Sequence, residues 1–138
     1  HGRLFSYYTL IHELDIGNRD TEENRKRVRN AIYYANHHVL LPVRSRYLRN
    51  EKNIGYRVIV PDEHPVVVYD HRKCALRKIA RGVNVARHAD ERQMSHDAKK
   101  INDHILTNMA SQEQKLLHYE KQEKDIIAVI TNSLRGNP

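Results

Sequence analysis

Helix breakers are so unevenly placed in this chain that they set most of what it can fold into. Between residues 83 and 135 there is no Gly and no Pro, so nothing in the backbone chemistry interrupts a helix there. The front differs, because Gly17, Pro42, Gly55, Pro61 and Pro65 cut it into short pieces. The chain is therefore expected to be α+β, mostly α. A module of short elements over 1–64 should precede a helical extension over 65–138. A length of 138 residues suits one domain, or a small domain with an appendage.

Within the front part, Ser6 to Leu14 reads as a short helix, with Leu10, Ile11 and Leu14 on one face. Asp15-Ile16-Gly17-Asn18 ends it, with Gly17 free to take a positive φ. Asp20-x-x-Glu23 is a capping box for a second helix from about Thr21 to His37 or His38. Val28, Ala31, Ile32 and Ala35 form its inner stripe. The period then changes. Leu40 to Leu48 reads as extended, since Pro42 speaks against helix. Arg49 to Asn53 reads as a polar turn, and Gly55 to Val60 as a β-branched strand, so the two strands make a hairpin. Asp62 or His64 then caps a third helix running to about Arg87, with an apolar seam of Tyr69, Arg72, Leu76, Ile79, Val83 and Ala86. Asp90-x-x-Gln93 offers a further cap, and helix is expected from there to Leu134. Its long, incomplete stripe is Ile105, Met109, Leu116, Tyr119, Ile126 and Ile130.

Charge narrows the function. The formal net charge is +7, and residues 1–94 carry all of it, with 18 basic and 11 acidic side chains. Residues 95–138 are neutral, with six of each. A front-loaded excess of this kind points to a polyanionic partner; a generically basic surface is the plainer alternative. The second helix presents Thr21, Asn24, Arg25, Lys26, Arg29 and Asn30. The hairpin adds Arg44, Arg46, Arg49, Lys52 and Arg57. Helix N-termini and Arg or Lys side chains hold phosphates, while Arg and Asn also read base edges. These eleven residues are the expected contacts to duplex DNA. Arg44 and Arg46 are expected on one face of their strand.

The stretch Tyr8 to His64 resembles winged helix-turn-helix modules of small phage-encoded DNA-binding proteins. The resemblance rests on Ile54-Gly55-Tyr56-Arg57-Val58-Ile59-Val60-Pro61-Asp62-Glu63-His64 following an Arg-rich helix. The Gly-Tyr-Arg strand is also similar to the wing strand of response-regulator DNA-binding domains. The resemblance implies that the Gly-Tyr pair closes the wing and that the preceding helix reads a major groove. The usual first helix of such modules is absent or shortened in this sequence.

Other chemistries find little support. His71 and Cys74 stand at i, i+3, and His37 and His38 are adjacent, but zinc needs about four ligands and there is one Cys. No metal or other cofactor is expected. Asp62-Glu63-His64 and Asp70-His71 are the compact carboxylate–His groups, better explained as helix-start chemistry and a surface pair. No phosphate-binding loop, dinucleotide fingerprint or nucleophile motif occurs, so no enzyme is expected. The single Cys74, expected to be packed, suits a reducing cytoplasm, that of the host cell if the chain is phage-encoded. No apolar run has the length of a membrane span.

The expected protein is a small phage-type regulator that grips duplex DNA. Its C-terminal helix either folds back on the third helix or pairs with a second subunit, and homodimer pairing is favoured. Leu116, Tyr119, Ile126, Ile127 and Ile130 are the expected oligomer or partner contacts. A protein-interaction module and a binder of single-stranded nucleic acid or RNA are the rival readings.

Overall fold

The computed structural model describes residues 2–136. They form an α+β structure that is mostly helical, divided into two compact units, His1–His64 and Pro65–Pro138.

In the first unit, β1 (Leu4–Ser6) leads directly into α1 (Tyr7–Glu13). Ser6 caps α1 by accepting from the Thr9 amide at 3.1 Å. The helix ends in a two-bond C-terminal motif: Ile16 N–H donates to Ile11 C=O at 3.0 Å and Asp15 N–H to His12 C=O at 3.1 Å. The left-handed residue in it is Asp15, at φ 52°, and not Gly17 as the sequence suggested. Gly17 serves a different need. A Cβ there would sit 2.8 Å from the Asn24 side-chain nitrogen.

The second helix, α2 (Glu22–Ala35), is capped by Thr21, whose hydroxyl accepts from the Asn24 amide at 3.2 Å. The cap is Thr21 and not Asp20. The helical path does not stop at His38. It widens into a π-helical turn over Asn36–Leu40 and continues as α3 (Leu41–Arg44). The expected strand over 40–48 is therefore absent, and Pro42 sits in the first turn of α3, where its missing N–H is tolerated. Ser45 closes this run in a left-handed conformation at φ 49°.

Strands β2 (Leu48–Glu51) and β3 (Gly55–Val58) form the hairpin, so Arg49, Asn50 and Glu51 lie in a strand and not in the turn. The sheet order is β1-β3-β2, all antiparallel, with Phe5 and Asn50 both opposite Tyr56. One face of this sheet closes on the helices. Tyr7, Leu10, Ile11, Val28, Ile32 and Tyr56 form the core, with Phe5, Ile16 and Leu48 packed against it. Two features fix the sheet. Asn36, buried, donates to Leu48 C=O at 2.9 Å and accepts from Leu48 N–H at 2.8 Å. Gly55, at φ 154°, lets β1 lie close: a Cβ there would meet the Phe5 carbonyl oxygen at 1.9 Å.

In the second unit, α4 (His64–Arg87) and α5 (His96–Gly136) form an antiparallel helical hairpin. Tyr69 meets Glu120, Gly82 meets Met109, and Ala86 C=O accepts from Asn102 at 3.1 Å. The half-buried row of α5 is Asn102, Leu106, Met109, Glu113, Leu116, Glu120, Glu123, Ile127, Ile130 and Leu134, alternating steps of four and three. The expected stripe was offset in part. Ile105, Tyr119 and Ile126 are 44%, 49% and 64% exposed. Polar residues occupy the seam because α4 satisfies them: the Tyr69 hydroxyl donates to Glu120, and Arg72 pairs with Glu123. Asp90 and Gln93 form a turn and not a helix cap; Ser95 caps α5 by accepting from the Ala98 amide.

Candidate nucleic-acid interface

The first two turns of α2 and the β2–β3 turn face each other across a cleft of about 230 Å³. Tyr7, Glu22, Arg25, Arg29, Asn50, Lys52 and Asn53 line it. Three cations thus meet one carboxylate in a space open to solvent. Helix periodicity explains half of the arrangement, since positions 22, 25 and 29 share one face of α2. The turn supplies the rest, with Asn53 held left-handed at φ 63°.

Tyr7 forms a fixed wall. Its ring is buried edge-on against Tyr56, centroids 5.9 Å apart. Its hydroxyl accepts from Asn50 Nδ2 at 3.1 Å, and the Arg25 guanidinium lies over its face at 4.8 Å. Burial, with Tyr7 beside it, pushes the Tyr56 hydroxyl up to about 12, so the Tyr56 phenol stays neutral in the working range.

The cations differ in how firmly they are engaged. Arg25 makes a two-point pair with Asp20 at 2.6 and 2.7 Å, which holds the Asp20 carboxyl below its usual range. Arg29 pairs with Glu22 at 2.5 Å, and the Glu22 side chain is 77% exposed. Lys52 is exposed at the tip of the turn. Surface pairs of this kind contribute little and exchange readily.

The remaining expected contacts lie elsewhere or have structural work. Thr21 is the helix cap, and Asn24 donates to Arg19 C=O at 2.8 Å, so neither reaches outward freely. Lys26 and Asn30 are exposed on α2. Arg44 ends α3 and Arg46 lies in the following loop; both are exposed, but they do not share a strand face. Arg49 is half-buried in β2, directly opposite Arg57. Arg57 is not a free phosphate ligand. It donates to Glu63 at 2.6 and 2.7 Å and to Glu51 at 3.0 Å. Glu63, itself buried, also accepts from the Val60 amide at 2.9 Å. The Arg57 guanidinium outweighs the opposing effect of burial and, with the Val60 bond, holds the Glu63 carboxyl below its usual range. Glu63 of the Asp62-Glu63-His64 group is thus part of a structural clasp.

Sequence reasoning missed Tyr7, Glu22, Asn50 and Asn53. Glu22 was legible as the residue two helical turns before Arg29, and Asn50-x-x-Asn53 as a turn signal. Among the expected oligomer or partner contacts, Leu116, Ile127 and Ile130 lie on the half-buried seam row of α5. Tyr119 and Ile126 are exposed. Cys74 is exposed and not packed. Among the described residues no cluster of three or more metal-ligating side chains occurs, and no helix is long and apolar enough to cross a membrane.

The charge excess is shared by the two units. Residues 1–64 hold 11 basic and 8 acidic side chains, and residues 65–138 hold 13 and 9. Compared with known proteins, the chain matches no family model, no curated protein and no solved structure.

Proposed function

We propose that the first unit binds duplex DNA through its phosphates, as a small regulator built like the phage winged helix modules it resembles. The observation that carries this reading is the cleft in which Arg25 and Arg29 of α2 meet Lys52 of the hairpin turn. Helix and hairpin present cations to one place, as a ligand with closely spaced charges requires. The element order also supports it: short helix, turn, longer helix, hairpin. Phosphate contact would come from Arg25, Arg29 and Lys52, with Arg44 and Arg46 as further exposed cations. Lys26 and Asn30 are the outward α2 side chains able to reach base edges. Equilibrium binding to random-sequence duplex DNA across a salt series tests the reading. Affinity must fall steeply with salt, and neutralising Arg25, Arg29 and Lys52 together must flatten that fall.

One observation favours a second reading, a protein-interaction module. Tyr119, Ile126 and Val129 leave α5 with 49%, 64% and 66% of their surfaces exposed, and they recur at helical spacing. Light-scattering mass in solution separates the versions of this reading: a doubled mass means homodimer pairing through α5.

A further inference from the structure

The second unit carries a charge pattern that the cleft does not use. From His71 to Ala89 there are six Lys or Arg and no carboxylate. All lie on α4, whose buried or half-buried row of Tyr69, Leu76, Ile79, Val83 and Ala86 lies on the side that meets α5 at Tyr69, Gly82 and Ala86. Opposite that seam, helical geometry places Arg77, Lys78 and Arg81, with Lys73 on the flank and Arg87 in line with Tyr69 at the helix end. All five are exposed. Arg72 is the exception, turned to α5 and neutralised by Glu123. Among the described residues no carboxylate pairs with Arg77, Lys78 or Arg81; Arg77 bonds the Cys74 sulfur at 3.1 Å, and Lys73 lies 5.5 Å from the Tyr69 ring.

Three physical points choose the partner. Lys73, Arg77 and Arg81 follow one another at four-residue steps of about 6 Å, and a duplex offers one charge per ~1.7 Å of axis. A membrane-surface helix needs an apolar face to insert, but from His71 to Ala89 the one exposed large apolar side chain is Val85. A protein partner is generally anchored by aromatic residues, and from His71 to Ala89 there is no Phe, Tyr or Trp.

We infer that the outer face of α4, centred on Arg77, Lys78 and Arg81, is a second binding surface for the phosphate backbone of duplex DNA. It stands independently of the cleft in the first unit. The face is a phosphate-tracking surface and does not read bases, since it offers no Asn or Gln beside its cations other than Asn84.

The test uses the full chain, random duplex DNA and a salt series. The α4 variant replaces Arg77, Lys78 and Arg81 by Gln, which keeps helix propensity. A control replaces Lys121 and Lys124 of α5 by Gln. A third variant replaces Arg25, Arg29 and Lys52 by Gln. Circular dichroism checks that each remains folded. The α4 variant should lower the slope of log affinity against log salt by about 2 to 3, while the α5 control leaves it unchanged. An unchanged slope in a folded α4 variant overturns the inference, as does an equal loss in the control. If only the cleft variant loses slope, the inference fails and the proposed function stands. If only the α4 variant does, the inference stands and the cleft reading fails.

Discussion

The Asn36 side-chain amide holds both backbone groups of Leu48, donating at 2.9 Å and accepting at 2.8 Å. A single buried residue thus acts as a short strand partner and ties the end of α2 to the beginning of the hairpin. The π-helical turn that begins at Asn36 redirects the chain at the same point. The position of Lys52 relative to Arg25 depends on this tie.

Replacing Asn36 by Ala removes two hydrogen bonds and leaves the Leu48 amide and carbonyl without them. Asn36→Ala should destabilise the protein by about 2–3 kcal/mol. Urea unfolding should show a lower midpoint with an unchanged slope. A midpoint equal to that of the parent protein would mean that the tie contributes nothing.

Gly55 faces the backbone of β1 at close range. A methyl group there meets the Phe5 carbonyl oxygen at 1.9 Å, and φ is 154°. Gly55→Ala should therefore cost about 3 kcal/mol through strain and loss of β1 pairing. Gly136, where a Cβ meets nothing within 4 Å, provides the contrast: Gly136→Ala should leave the thermal midpoint in place.

The clasp between Arg57 and Glu63 gives stability a defined acid limit. The Glu63 carboxyl is depressed below the ordinary 4.5 by Arg57. Its contribution is complete above that ordinary value and is lost as pH falls through the depressed one. Glu63→Gln should be about 2 kcal/mol less stable than the parent at neutral pH. The two curves should converge as pH drops below the ordinary carboxylate range. Thermal melts from pH 7 to pH 3 check this, and a gap that stays constant with pH would refute it.

Much of the fold was legible where the determinants are local. Ser6 and the Gly55-Tyr56 strand start mark their elements by residue type, and the start of α2 was legible to within one residue, with the cap on Thr21 and not Asp20. The stretch 36–44 was not legible, because Pro42 breaks a helix interior but not a first turn, and the π-helical turn places it in one. Strand β1 has three residues, too few for alternation to show, and exists through its pairing with β3. The α5 seam was hidden because Glu113, Glu120 and Glu123 lie in it. For the site, the cations were legible as residue types. Their pairing with Asp20, Glu22, Glu51 and Glu63 was not read, since residue type and charge alone do not say which carboxylate each cation takes.

That pairing leads to a prediction for Glu22. Its carboxylate occupies Arg29 within the cleft and is mostly exposed, so a phosphate must displace it. Glu22→Gln should tighten duplex DNA binding about two- to fivefold at low salt. The same change removes an acidic residue from the first turn of α2, so thermal stability should fall slightly. Affinity and stability moving in opposite directions would distinguish competition in the cleft from general improvement of the fold. Weaker binding by Glu22→Gln would count against the cleft as a phosphate site.

The most direct measurement is the salt dependence of binding to random duplex DNA, for the parent chain and for the variant with Arg25, Arg29 and Lys52 replaced by Gln. Phosphate binding by the cleft predicts an affinity that falls steeply from low to moderate salt, and a slope reduced by about 2 to 3 in the variant. An affinity that hardly changes with salt, or a folded variant with the parent slope, would contradict it.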